Sequence, residues 1–97
     1  MIEVKTEIKK YLKYCSLEKK LSKHTLKAYR IDLAQFIAFK PDISISKEDL
    51  TKYIQYLHKT YKPKTIKRKI ATLKAFVHYL YYKDIIEFNP FDKIDTT

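Results

Sequence analysis

One stretch of the chain, LSKHTLKAYRIDLAQFIAF at Leu21–Phe39, recurs in looser form as KPKTIKRKIATLKAFVHYL at Lys62–Leu80. Aligning Thr25 with Thr65 pairs similar residues at six further positions: Leu26 with Ile66, Lys27 with Lys67, Leu33 with Leu73, Phe36 with Phe76, Ile37 with Val77 and Phe39 with Tyr79. Apolar residues recur every three or four positions in both copies, which is typical of an amphipathic helix. The repeat therefore predicts two similar helices, each with one face in the core.

The apolar spacing of the remaining chain extends this prediction to an all-α domain with four helices in a bundle. The predicted helices run from about Glu3 to Glu18, from Ser22 to Phe39, from Ser46 to about Tyr61 and from Pro63 to about Tyr82. Ser22 and Ser46 are favourable N-cap residues. Pro63 suits the first helical position, because an N–H group there would have no partner inside the helix.

The C-terminal part of the sequence predicts the end of the domain. A short fifth turn is expected near Ile85. The Asn-Pro pair at 89–90 should end regular structure, because a residue that precedes proline disfavours the α conformation. We therefore expect a domain at residues 1–90, followed by a linker or tail at residues 91–97.

The chain is strongly basic, with 21 Lys and Arg against 11 Asp and Glu and a formal net charge of +10. Two windows contain basic residues and no acid: residues 19–31 have five basic residues and residues 50–83 have nine. Each window overlaps one copy of the repeat. A face that is merely solvated would accept Glu as readily as Lys, so these basic faces indicate a polyanionic partner. We expect both faces to share one side of the bundle.

The outer faces of the two repeated helices are the predicted binding surface for double-stranded DNA. Ala34, Ala71 and Ala75 leave room there for a backbone or a base edge, and a helix fits a major groove about 12 Å wide. Thr25 and Thr65 lie in the first turns, where exposed N–H groups favour phosphate, although local capping also explains both threonines. The predicted DNA-binding residues are Lys23, His24, Thr25, Lys27, Arg30, Lys64, Thr65, Lys67, Arg68 and Lys74.

Several other kinds of site are not expected. Cys15 is the only cysteine and should be a small core residue, since it can form neither an internal disulfide nor a thiolate cluster. The three histidines lack HxxH or HExxH spacing, and the chain has no glycine for a phosphate-binding loop, so neither a metal nor a cofactor is predicted. No signal peptide or membrane-spanning segment is predicted, which favours a cytoplasmic protein.

No catalytic residues are predicted either. The nine tyrosines fall mainly on core stripes or at the edges of the bundle, where the hydroxyl reaches water. A nucleophilic tyrosine would need arginines that converge on a phosphate, but Arg30 and Arg68 are the only arginines and no HxxR sequence is present.

Two motifs resemble a known family. The pattern S-x-x-T-L-x-x-Y-x-x-D-L-x-x-F is similar to the second helix of the N-terminal core-binding domain of tyrosine recombinases, the phage-integrase and Xer-type family. Its residues here are Ser22, Thr25, Leu26, Tyr29, Asp32, Leu33 and Phe36. A later run resembles the last long helix of that domain and its exit: Thr65, Ile66, Arg68, Ile70, Leu73, Phe76, Tyr79, Leu80, Ile86, Asn89 and Pro90. The likeness extends from about Ile2 to Ile94.

The resemblance implies a SAM-like orthogonal bundle that forms half of a C-shaped clamp around a recombination half-site. In that family, the helices that match Ser22–Phe39 and Pro63–Tyr82 face the DNA. A separate C-terminal domain supplies the catalytic arginines, the HxxR histidine and the nucleophilic tyrosine. The resemblance therefore implies that this chain binds DNA without cutting it, that residues 91–97 lead toward a catalytic domain, that the isolated domain is a monomer, and that the parent recombinase forms a tetramer on DNA.

Two alternatives remain open at the level of sequence. The chain could be a self-standing helical DNA-binding regulator, which differs from a recombinase in having no HxxR segment and late tyrosine beyond Thr97. It could also be a basic module that docks on an acidic protein or an anionic membrane. That module would bind heparin, lipid and DNA equally, whereas a clamp that fits a groove should prefer duplex to single-stranded DNA.

Overall fold

Four α-helices and one 3-10 helix form the regular structure of the computed structural model, which describes residues 2–96. The α-helices are α1 (Val4–Leu17), α2 (Lys23–Phe39), α3 (Lys47–Thr60) and α4 (Pro63–Tyr82), and the 3-10 helix is Pro90–Lys93. No strand occurs in this described part of the chain. The predicted all-α bundle with four helices is confirmed, and the predicted helix bounds differ from the observed bounds only by capping residues.

Serine side chains fix the starts of α2 and α3. Ser22 Oγ and Ser46 Oγ each accept a hydrogen bond of 3.2 Å from the backbone N–H three residues ahead. The start of α4 is different, because Lys62 occupies the N-cap position and makes no capping hydrogen bond with its side chain. Pro63 follows at the first helical position. This helix therefore begins with the fixed φ of proline and without a side-chain cap.

Replacing Lys62 by serine should stabilise the domain. A serine at the N-cap position contributes about 1 kcal/mol, and the change removes a positive charge from the positive end of the helix dipole. We expect urea denaturation to show that the free energy of unfolding of Lys62→Ser is about 1 kcal/mol higher than that of the wild type. Ser22→Ala is the matched control and should lower it by a similar amount. An unchanged value for Lys62→Ser would mean that packing alone sets the start of α4.

The core contains one side of each α-helix, and it confirms the predicted apolar faces of the repeat. Leu33, Phe36, Leu73 and Phe76 are each exposed by 1% or less. Cys15 lies in the same core with no exposed surface, as predicted, and burial raises the pKa of its thiol. Among residues 2–96, no helix is both long enough and apolar enough to cross a lipid bilayer.

The end of α4 is a Schellman motif formed without glycine. The N–H of Ile85 donates to the Leu80 carbonyl at 2.9 Å, and the N–H of Asp84 donates to the Tyr81 carbonyl at 3.0 Å. Asp84 adopts the left-handed conformation, with φ 59°, which aspartate tolerates better than most residues. The motif turns the chain back toward the bundle, where Ile85 and Ile86 pack half-buried against the core.

The segment after α4 differs from the prediction in two respects. Residues 83–88 form turns and bends, so the short helical turn expected near Ile85 is absent there. Regular structure also does not end at the Asn-Pro pair, because Pro90–Lys93 forms the 3-10 helix. The Asn89 side chain caps this helix by accepting the N–H of Phe91 at 3.0 Å. Phe91 and Ile94 then pack against the core. The assignment of residues 91–97 to a linker or tail stays a prediction.

Candidate nucleic-acid interface

Helices α2 and α4 contact each other through a buried carboxylate. Asp32 of α2 is 2% exposed and accepts four hydrogen bonds from side chains of α4. The donors are Arg68 Nη2 at 2.9 Å, Arg68 Nε at 3.3 Å, Lys69 Nζ at 3.0 Å and Thr72 Oγ1 at 3.1 Å. A carboxylate offers about four acceptor sites, so Asp32 is saturated. In the register of the repeat, Asp32 and Thr72 occupy equivalent positions.

The network holds Asp32 in its charged form. Burial disfavours the carboxylate, but hydrogen bonds from Arg68 and Lys69, together with the charge of Lys69, outweigh this effect and place the pKa of Asp32 below its ordinary value. Lys69 is itself only 2% exposed. Its ammonium also contacts Gln35 Oε1 and lies 5.0 Å from the centroid of the Tyr61 ring. Asp32 is therefore the counter-charge of a lysine that is almost completely buried.

Two pairs of residues, one on either side of Asp32, join α2 to α4 and correspond to each other in the repeat. Gln35 is equivalent to Ala75 in the repeat, and Tyr29 is equivalent to Lys69. Lys69 contacts Gln35, and correspondingly Tyr29 and Ala75 line one cavity between α1, α2 and α4. In the register of the repeat, each of these two pairs therefore corresponds to the other. The sequence repeat thus has a structural counterpart in the way α2 and α4 meet around Asp32.

The solvent side of the crossing carries a strip of six residues, which we call the interhelical strip. Side chains three or four positions apart lie on the same side of a helix, which relates the strip residues of each helix, directly or in two such steps, to Asp32 or to Thr72. The interhelical strip consists of His24, Ala28 and Gln35 on α2 and of Lys64, Arg68 and Ala75 on α4. All six are exposed or half-buried. The strip residues of both helices are therefore accessible to solvent.

Basic residues border the interhelical strip on both sides. Lys23, Lys27 and Arg30 of α2 are exposed, and the helical period turns them about 140° to 180° away from the contact with α4. Lys67 and Lys74 of α4 are exposed and turned away from α2 in the same way. We call these residues the α2 edge and the α4 edge. Within the interhelical strip, Lys64 and Arg68 are the only Lys or Arg side chains. The two edges point away from each other, so the expectation that both basic faces share one side of the bundle stays a prediction.

Some of the predicted DNA-binding residues make contacts within the chain. Thr25 Oγ1 accepts a hydrogen bond of 3.0 Å from Ser22 Oγ, which supports the capping interpretation of this threonine. Lys74 Nζ donates to Thr96 Oγ1 at 2.7 Å, so the C-terminal segment reaches the α4 edge. Arg68 is paired with Asp32 as described above. Thr65 is half-buried in the first turn of α4.

The sequence patterns predicted no role for the buried polar residues that join α2 to α4. Lys69 and Thr72 belong to the most basic part of the chain, and both are buried. One available signal was that Asp32 is the only acid in residues 19–41. A single acid beside the apolar stripe of a basic helix indicates a buried partner, because an unpaired charge is rarely buried.

The tyrosines are mainly structural. Burial raises the pKa of Tyr11 and of Tyr53, so both phenols keep their protons at neutral pH. Tyr11 packs with the ring of Tyr79 at a centroid distance of 4.9 Å, and Tyr53 packs with Phe36 at 5.1 Å. Within residues 2–96, no group of three or more His, Cys, Asp or Glu side chains is placed to hold a metal ion.

Comparison with known proteins gives a family match over most of the chain. The family model described as the phage integrase N-terminal SAM-like domain matches residues 8–84. A tyrosine recombinase of Agathobacter rectalis is 52% identical over 97 residues, which cover 97% of this chain and 32% of the relative. Tyrosine recombinase XerC of Herpetosiphon aurantiacus is 32% identical over 93% of this chain and 32% of its own length. XerC of Staphylococcus saprophyticus is 38% identical over 84% of this chain and 29% of its own length.

The chain thus spans about a third of the length of the curated relatives that it matches. The matched part lies in helices α1 to α4 and includes the whole interhelical strip. No solved structure gives a significant match.

Proposed function

Because this chain belongs to the phage integrase N-terminal SAM-like domain family, we propose that it is the DNA-binding module of a tyrosine recombinase and that it binds duplex DNA across α2 and α4. The observation that carries this proposal is the contact of two similar helices through Asp32, with exposed basic residues on the far side of each helix. The proposed DNA-binding residues are Lys23, His24, Thr25, Lys27, Arg30, Lys64, Thr65, Lys67, Arg68 and Lys74.

The electrostatics of this surface suit a double helix. A duplex that lies across the interhelical strip would present phosphates to the α2 edge and to the α4 edge, where exposed Lys and Arg side chains can neutralise them. Ala28 and Ala75 would allow close approach at the centre of the strip. Phosphate contacts at the edges would then fix the position of the protein, and the strip would face the base edges.

We also propose that the chain binds DNA without cleaving it. Curated relatives named tyrosine recombinases are about three times as long as this chain, and the proposed interface uses no nucleophile. Cleavage would therefore require residues from the rest of a recombinase. On this proposal the isolated chain is a monomer, and the complete recombinase assembles as a tetramer on DNA.

Charge reversal at both edges tests this function. The double variant Lys27→Glu with Lys67→Glu should weaken duplex binding on the order of tenfold to a hundredfold, and should reduce the slope of log affinity against log salt by about 2, because two phosphate contacts are lost. Fluorescence anisotropy with a labelled duplex measures both quantities. NMR titration of the wild type should place the largest shifts in α2 and α4.

The matched control is Lys9→Glu with Lys13→Glu, which makes the same change of charge at exposed positions of α1. This control should lose only the small affinity that follows from lower net charge. Equal losses in the two double variants would contradict the proposed interface, because they would show that net charge rather than position governs binding. Failure of the wild type to bind duplex at low salt would overturn the proposed function itself.

A further inference from the structure

We infer that Arg68 recognises a guanine base and that Asp32 is the positioning residue for Arg68. This assignment rests on the proposed function and extends it, since it separates one base contact from the phosphate contacts of the edges. It places sequence recognition at the centre of the interhelical strip.

The geometry of the ion pair leaves the recognition end of Arg68 available. A guanidinium group has five N–H donors, of which the Asp32 carboxylate accepts one from Nε at 3.3 Å and one from Nη2 at 2.9 Å. The two N–H groups of Nη1 and the second N–H of Nη2 lie outside this pair. One N–H of Nη1 and the second N–H of Nη2 form a fork that matches O6 and N7 of guanine in the major groove. The Arg68 side chain is 52% exposed while that of Asp32 is 2% exposed, so the ion pair extends from the buried crossing to the solvent side of the strip.

Arg68 is paired with a carboxylate that buried side chains hold in place. Asp32 is held by Lys69 and Thr72, which are both buried. Thr72 Oγ1 also lies 3.1 Å from the backbone carbonyl of Arg68, so its single hydrogen can be donated to this carbonyl or to Asp32. An arginine fixed in this way loses little conformational freedom when it binds, which favours a contact that depends on direction. Flexible lysines such as those of the edges suit phosphates, where a point charge is sufficient.

Charge and space at the centre of the strip agree with base recognition. Asp32 cancels one of the two positive charges of Arg68 and Lys69, so the cluster attracts phosphate less than its two basic residues would suggest. In the repeat, Ala28 is the equivalent of Arg68, so the corresponding position of α2 carries a small side chain. Ala75 is also small. Two of the six strip residues are therefore too small to obstruct a base edge that approaches the exposed Arg68 side chain.

The experiment measures how binding depends on individual guanines. A preferred duplex is first selected from a random pool by the 97-residue chain, and each guanine is then replaced in turn by 7-deazaguanine or by adenine. We expect wild-type affinity to fall at one guanine position, by roughly fivefold to a hundredfold for adenine and by less for 7-deazaguanine, which keeps O6. Arg68→Ala and Arg68→Lys should both lose this discrimination. Arg68→Lys keeps the charge and leaves Asp32 in place.

Two further variants separate base recognition from other roles. Lys67→Ala, at the α4 edge, should weaken binding to every duplex alike and should keep the dependence on that guanine. Asp32→Asn should reduce the discrimination while Arg68 remains present, provided that circular dichroism shows the native helix content at the temperature of the assay. A wild-type level of discrimination in folded Asp32→Asn would overturn the positioning role.

The remaining outcomes separate base recognition by Arg68 from the proposed DNA-binding function. If Arg68→Ala weakens all duplexes equally, Arg68 is a phosphate contact and the inference is wrong, whereas the proposed DNA-binding function stands. If the wild type binds duplexes without any dependence on guanine, base recognition by Arg68 is likewise excluded. If the wild type does not bind duplex at all, the proposed function fails before the inference is tested.

Discussion

Raising the salt concentration from 50 to 200 mM should weaken duplex binding about a thousandfold, if about six phosphates are neutralised. Binding of Lys and Arg to phosphates releases condensed counterions, and this release becomes less favourable as salt increases. Six side chains of the proposed interface can make such contacts, and none of them is in the ion pairs found among residues 2–96: Lys23, Lys27, Arg30, Lys64, Lys67 and Lys74. Fluorescence anisotropy over this salt range should give a slope of about −5 for log affinity against log salt.

Single-stranded DNA of the same length provides the comparison. Its slope should be shallower, since each phosphate contact releases fewer counterions from a single strand, and its affinity at 50 mM salt should be lower because one strand cannot meet both edges. Affinity for the duplex that does not change with salt would contradict phosphate contacts. Equal affinities for duplex, heparin and anionic vesicles would instead identify a basic module that docks on any polyanionic surface.

Replacing Asp32 by alanine should destabilise the domain by about 3–5 kcal/mol, because it leaves the buried ammonium of Lys69 without a counter-charge. Domains of this size are stable by only about 5–15 kcal/mol, so a large part of the stability would be lost. Urea denaturation followed by circular dichroism measures this change. Asp42→Ala, at an exposed position in the loop between α2 and α3, removes the same charge and should change the free energy of unfolding by less than about 0.5 kcal/mol.

Two conditions reveal whether the unpaired lysine causes the loss. Asp32→Leu combined with Lys69→Met should be more stable than Asp32→Ala, because removing both charges leaves no buried ion unpaired.

The pH dependence of the difference in stability between wild type and Asp32→Ala has a definite sign. Since the pKa of Asp32 is lowered in the folded state, its stabilising contribution is complete above the unfolded pKa of about 3.9 and is lost as the pH falls. The difference between wild type and Asp32→Ala should therefore shrink in acid. A difference that stays constant from pH 7 to pH 3 would contradict this account.

Local patterns in the sequence determined the helices and their buried faces. Apolar residues at intervals of three and four specified which side of each helix is buried, and Leu33 and Phe76 are buried as predicted. Ser22 and Ser46 marked helix starts because a cap bonds a backbone group only three residues ahead. Pro63 likewise marked the first residue of α4. These features depend on neighbours in the chain, so the sequence by itself was sufficient for them, and its motifs also indicated the family.

Only the tertiary structure decided how the charged residues are arranged. Asp32 and Lys69 stand at the boundary of an apolar stripe, where helical spacing allows either burial or exposure. Their burial depends on the contact between α2 and α4, which brings together residues far apart in the chain. The same contact turns Lys27 and Lys67 to opposite edges and leaves Arg68 at the centre. Helical spacing defines directions around one axis, but which neighbour lies in each direction is determined by the packing of all four helices.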